Sequence, residues 1–244
     1  MLRVWLLLVV TACGRIGFGD QAAPGDASTG GNEDTAGLQP IHQYSFNGNF
    51  RDDLGGPDAV GRGGTFSTRG YQFAPNQGPS VDGALPPDVY TVDIEFAFAD
   101  ATGWRKILDY EGLTRDSGFY TYQNALQFVI VPGSDFLTAP RTFTPDTTVR
   151  VSLTRSAAGH VVAYLDGAPA FAIRASSPDP PSAMPLTRFE FDDPARVAAL
   201  TGNTATFFVD DAATSGGEAA MGTVRRIRIY DVVLGANQIA AIGN

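Results

Sequence analysis

Cysteine and lysine each occur once in the 244 residues, as Cys13 and Lys106, and histidine only twice. A single cysteine excludes an internal disulfide. With two histidines beside it, no Cys/His zinc site can be assembled. Basic residues are also few: 17 Lys+Arg face 26 Asp+Glu, a net charge of −9. An acidic surface repels phosphate backbones, which argues against nucleic-acid binding as the main task. Charged residues reach only 18% against 43% hydrophobic, which excludes a wholly disordered chain. Long apolar runs are missing too. The longest, VWLLLVV at residues 4–10, has seven residues where a bilayer span needs roughly 20. No internal repeat is present. What is plentiful is glycine, 28 residues, with 16 prolines. That suits a chain of many turns rather than a helical bundle.

The short apolar run follows Arg3 and precedes Val10-Thr11-Ala12-Cys13. A positive start and an apolar stretch of this length read as a secretion signal. The VTAC tetrapeptide resembles the bacterial lipobox, which implies cleavage before Cys13 and acylation of its thiol and new amino terminus. Two or three acyl chains give stable anchoring where one is marginal. Residues 1–12 are thus expected to be a lipoprotein signal. Residues 13–39, rich in Gly, Asp, Ser and Thr without apolar period, are expected to be a lipid-anchored flexible linker reaching roughly 25–30 Å. Residues 40–244 form the folded domain. The implied location is the bacterial cell envelope, at the outer membrane, with the lipid anchor as the only membrane contact.

Within the domain the apolar pattern has period two. In YTVDIEFAF (residues 90–98) large apolar side chains take every second place, and VRVSLT (149–154) repeats this. Residues 161–165 and 168–173 flank Asp166-Gly167, a pair that tolerates the positive φ angles of a type I′ hairpin turn. Residues 126–131 and 204–209 are shorter apolar runs. Only residues 234–242 read as helical, with Leu234, Ile239 and Ile242 on one face. Many strands and one short helical turn predict an all-β sandwich or barrel.

Three segments stand out. The first is Tyr44-Ser45-Phe46-Asn47-Gly48-Asn49 with Asp52, Asp53, Gly55 and Gly56 after it. The second is Tyr164-Leu165-Asp166-Gly167. The third is the closing run from Gly222 through Val224, Arg225, Ile227, Ile229 and Tyr230 to Leu234 and Ile239. In this order they resemble laminin-G-like domains of the concanavalin A-like lectin/glucanase fold, and the resemblance implies a jelly-roll sandwich of two antiparallel sheets with adjacent first and last strands. The family's usual calcium ligands fall at Asn47 and Arg225 here. An Asn oxygen ligates Ca²⁺ and an Arg does not. No cofactor is therefore required, and the guanidinium is expected to donate to the carbonyls that calcium would otherwise hold.

Several clusters carry candidate chemistry. Asp93 and Glu95 project from one face of a strand. Hydrolases of this fold carry Glu-x-Asp-x-Glu there, but the place of the nucleophile is Thr91, so the pair reads as polar residues on a solvated face. Asp210, Asp211 and Glu218 flank a Gly-rich loop. They are candidate calcium ligands, or partners of Arg225, Arg226 or Arg228 in a loop-closing salt bridge. Asp192-Asp193 is a weaker metal candidate. His42 and His160 read as surface or satisfied histidines. Trp104, Arg105, Tyr110, Tyr120 and Tyr122 offer stacking faces and hydrogen bonds and form the candidate ligand site. The expected function is non-catalytic binding of a glycan or surface protein. The alternatives are a glycosidase or polysaccharide lyase of the same fold, or a structural envelope lipoprotein.

Overall fold

The alternating segments form strands in the computed structural model, which describes residues 38–131, 135–175, 188–191 and 198–243. All belong to the unit spanning Asp34–Asn244. The leader, the lipobox Cys13, most of the linker and Asp192-Asp193 lie outside the described residues. In chain order the strands are β1 (His42–Tyr44), β2 (Thr65–Ser67), β3 (Gly70–Phe73), β4 (Ser80–Asp82), β5 (Tyr90–Phe98), β6 (Arg105–Asp109), β7 (Gly118–Tyr122) and β8 (Ala125–Val131). They continue with β9 (Asp135–Thr142), β10 (Val149–Arg155), β11 (Val161–Leu165), β12 (Ala168–Ala175), β13 (Arg188–Phe191), β14 (Thr204–Phe207) and β15 (Gly222–Tyr230). One helix, α1 (Ala236–Ala241), follows.

Two sheets result. The larger runs β13-β12-β11-β10-β5-β15-β3-β2, with β1 also paired to β15, and the smaller runs β4-β14-β6-β7-β8-β9. All pairs are antiparallel except β12 with β13. The first and last strands pair, His42 opposite Ile229, as the laminin-G-like resemblance implies. Period two decides what is buried. Val92, Ile94, Phe96 and Phe98 of β5 share one core with Leu108, Phe119, Phe128 and Phe207 of the smaller sheet. The intervening Thr91, Asp93 and Glu95 point to the outer face of the larger sheet. The hairpin joining β11 and β12 turns on Asp166 (φ 50°) and Gly167 (φ 80°), the left-handed pair that a type I′ turn requires. On the same outer face, Leu234 and Ile239 pack with Tyr164 and Tyr230, and Ile242 lies against them. This is the helical face read from the sequence.

Candidate functional site

On β6, β7 and β8 the side chains that point away from the core are cross-strand neighbours: Lys106 lies opposite Tyr120, and Tyr120 opposite Gln127. Trp104, just before β6, and Tyr122, at the end of β7, extend this row. Their rings stack at 4.4 Å and 15°, and Tyr120 meets Trp104 edge-on at 5.7 Å. Trp104 and Tyr122 are half-buried, so part of the stack faces solvent. Tyr120 is buried, and its hydroxyl donates to Asp116 at 3.0 Å. Burial, then the charges of Asp116 and Asp211, push the Tyr120 phenol far above its ordinary value, so it stays a donor.

One residue of the expected site stands elsewhere, and another serves as a brace. Tyr110 faces inward and stacks on Phe128 in the core, 6.3 Å between centroids, two residues after Leu108 of the same core. Arg105 donates to Asp100 at 2.7 Å and to the Trp104 carbonyl, so it braces the platform from its rim. Hydrogen bonds from the Thr102 hydroxyl and backbone, then from Arg105, hold the Asp100 carboxyl down at about 2.

Behind the platform lies the acidic loop. Lys106 Nζ, fully buried, donates to Asp211 at 2.5 Å and to Asp109 at 3.1 Å, and sits 5.1 Å from the Tyr120 ring centroid. The single lysine, rather than Arg225, Arg226 or Arg228, therefore neutralises this loop. Asp210 accepts from the Thr214 hydroxyl and from the backbone N–H groups of Asp211 and Glu218. Asp211 also accepts from the Ala213 and Thr214 N–H groups. These carboxylates spend their lone pairs on N–H and O–H donors, and an ammonium already supplies the positive charge. The donor set does not fit Ca²⁺, and no cluster of three or more metal-ligating side chains occurs among the described residues. Glu218 differs. One of its carboxyl oxygens is buried without a hydrogen-bond partner among the described residues. Burial, then the nearby charges of Asp116, Asp210 and Asp211, push its carboxyl up to about 7.

The central-strand carboxylates occupy the opposite side of the sandwich. Asp93 is buried rather than solvated: it accepts from Arg228 Nη2 at 2.8 Å and Nε at 3.2 Å, and from Ser152 at 2.6 Å. Glu95 lies between Arg225 and Arg226, 3.1 Å from each. Arg225 thus pairs with a carboxylate, where donation to carbonyls was expected. Asn47 and Arg225 do line one cavity, but Arg69 and Arg226 line it too, and that set does not suit a cation. Thr91, in the nucleophile's place, donates to the Val232 carbonyl at 2.7 Å and accepts from the Leu234 N–H at 3.0 Å. Its hydroxyl fastens the segment leading into α1. Of the histidines, His42 has its Nδ1 2.5 Å from Asp52, and His160 lies in the turn joining β10 and β11.

No protein-family model matches the chain, and no curated protein matches it. Solved structures do. Domain 4 of AbnA, an extracellular GH43 arabinanase from Geobacillus stearothermophilus, solved in complex with arabinotriose, matches over 84% of this chain and 98% of its own. Its TM-score is 0.57 at 16% identity. Trypanosoma rangeli sialidase in complex with sialic acid matches over 83% of this chain and 32% of its own, at 0.58 and 14%. The botulinum neurotoxin serotype D ligand binding domain in complex with N-acetylneuraminic acid matches over 84% and 50%, at 0.56 and 11%. This chain therefore spans about half of the toxin chain and a third of the sialidase chain. At these identities the likeness is one of fold, a β-sandwich.

Proposed function

We propose that this chain is a lipid-anchored, laminin-G-like binding module of the bacterial cell envelope, held at the outer membrane through Cys13, that recognises a glycan without catalysis. The observation that carries the reading is the Trp104–Tyr122 stack, with Tyr120 beside it, on the outer face of the smaller sheet. A half-exposed aromatic platform stacks on sugar C–H groups, and the polar tips around it orient hydroxyls. The neighbours solved with arabinotriose and with N-acetylneuraminic acid support the choice of a sugar over a surface protein. A shallow platform gives weak affinity per copy, and many anchored copies compensate through avidity.

The test is Trp104→Ala, with retention on a glycan array and melting temperature measured together. Retention is expected to vanish while the melting temperature moves little, because Trp104 is half-buried and packs on the outer-face rings of Tyr122 and Tyr120, outside the hydrophobic core. A destabilised variant that still binds would remove the platform from consideration.

Glu218 favours a second reading, a glycosidase or polysaccharide lyase. A carboxyl pushed up to about 7 beside other carboxylates is the setting of a general acid. Under the binding reading, arabinan and sialoside substrates release no reducing ends between pH 4 and 9. Release that collapses in Glu218→Gln would establish the enzyme instead.

A further inference from the structure

The acidic chain gathers arginines at one place. Two cavities meet over Glu95 on the outer face of the larger sheet. The smaller, about 190 Å³, is lined by Asn47, Arg69, Glu95, Arg225 and Arg226 among others. The larger, about 540 Å³, shares Glu95, Arg225 and Arg226 and adds Arg150 and Asp166. Four guanidinium groups face two carboxylates, a local excess of two positive charges in a chain of net charge −9. Arg228 adds nothing to this excess, because Asp93 beneath the cavities already engages it.

The arginines are not consumed by structural pairing. Arg225 and Arg226 share Glu95, and the Nε of Arg226 is buried without an acceptor among the described residues. The Nη1 of Arg150 is likewise buried without one, and its nearest carboxylate, Asp93, is 3.9 Å away. Arg69 makes no ion pair among the described residues and is exposed at the cavity mouth. Each guanidinium carries five N–H donors in a fixed fork suited to a planar or tetrahedral oxyanion.

The backbone holds this arrangement open. At Gly70 (φ 119°) an added Cβ would lie 2.2 Å from the Val224 carbonyl oxygen, so only glycine lets β3 close on β15 and bring Arg69 beside Arg225. At Gly243 an added Cβ would lie 2.4 Å from the Arg150 guanidinium carbon, so the chain end after α1 also leaves room for that side chain.

We propose that these joined cavities bind an acidic saccharide unit, with the arginine fork on its carboxylate or sulfate group. A cavity of about 190 Å³ lies below the roughly 300–1,000 Å³ of pockets that enclose drug-sized ligands, and suits one charged substituent. The larger neighbour takes the ring bearing it. Asp166 and Thr148 there, and Ser45, Asn47 and Thr68 in the smaller cavity, offer partners for hydroxyls, as a polar sugar needs and a lipid tail does not. This site is separate from the Trp104 platform, on the opposite outer face of the sandwich.

The experiment is calorimetric titration of the full chain with four probes: an oligogalacturonate, a sulfated oligosaccharide, a neutral oligosaccharide of equal length, and inorganic phosphate. At least one of the two acidic oligosaccharides should bind, more weakly as salt rises, while the neutral one and phosphate bind at least tenfold more weakly. Arg69→Gln removes no ion pair, so it should fold normally and cost about tenfold in affinity. Arg225→Gln should do the same with Arg226 still on Glu95. Trp104→Ala should leave this binding intact, which separates the site from the aromatic platform. The proposal is overturned if neither acidic probe binds, if the neutral probe or phosphate binds as tightly, or if Arg69→Gln and Arg225→Gln bind like wild type. Loss of acidic-probe binding in Trp104→Ala alone would also overturn it.

Discussion

At the scale of single residues, the two carboxylates of β5 show how position along one face sets a role. Asp93 is buried under Arg228, Ser152 and Arg150, while Glu95 sits nearer the rim. Breaking a buried pair leaves an uncompensated charge, so Asp93→Ala is expected to cost about 3–5 kcal/mol in denaturant unfolding. Glu95→Gln is expected to cost about 1 kcal/mol or less, since its partners are partly exposed. Glu218 supplies the pH dependence. Its folded carboxyl titrates at about 7, above the roughly 4.3 of a free Glu. Between those values the folded chain holds a proton that the unfolded chain has lost. Stability therefore falls as pH rises through that window and reaches its low plateau above about 7. Glu218→Gln keeps the neutral form, so it should raise the melting temperature at pH 8 and leave it unchanged at pH 4. An unchanged value at pH 8 would refute the assignment.

At the scale of elements, the opening strand and its turn show what Asp52 and Gly56 do there. Asp52 is buried, and it accepts from the Gln43, Leu54 and Gly56 N–H groups as well as facing His42. Burial works to raise its carboxyl, but the hydrogen bonds from Gln43, His42 and Leu54 outweigh that and leave it lowered. Gly56 permits the contact: a Cβ there would stand 2.3 Å from both the Asp52 carboxylate and His42 Nδ1. Gly56→Ala is expected to destabilise by about 1–3 kcal/mol through overpacking. Adding His42→Ala should recover part of that loss, and a double-mutant cycle in urea reads the coupling. The turn residues were legible in the sequence. That the Asp serves the backbone of β1 was not, because β1 and the turn are joined by contacts ten residues apart.

At the scale of the whole molecule, two expectations concern what the domain carries with it. A metal that binds only the folded state stabilises it by mass action. Since Lys106 occupies the acidic loop and Arg225 the other candidate place, a chelator is expected to leave the melting temperature unchanged. A drop of several degrees that Asp210→Asn abolishes would show calcium bound. The anchor rests on the lipobox resemblance: Cys13→Ser should block acylation and shift the protein from the detergent phase to the aqueous phase. Partitioning equal to wild type would sink the anchor.

The sequence alone determined strands β5, β8, β10, β11, β12 and β14, the hairpin at Asp166-Gly167, the docking face of α1 and the all-β class, while the two-sheet sandwich came from the laminin-G-like resemblance. The strands and the hairpin depend on local φ preferences and on period two, which those segments display within a short window and shorter strands such as β2, β4 and β6 do not. It also assigned Asp93 and Glu95 to one face, and Trp104, Tyr120 and Tyr122 to one neighbourhood. Only the tertiary structure decided what covers each face. It turned Tyr110 into the core, gave the acidic loop to the one lysine, buried Asp93 beneath arginines from β10 and β15, and drew Arg69 and Arg225 to a shared cavity. Alternation specifies which side of a sheet a residue occupies. Its partner there is chosen by strand order, and that is fixed by pairings such as β5 with β15, more than a hundred residues apart, which no local pattern encodes.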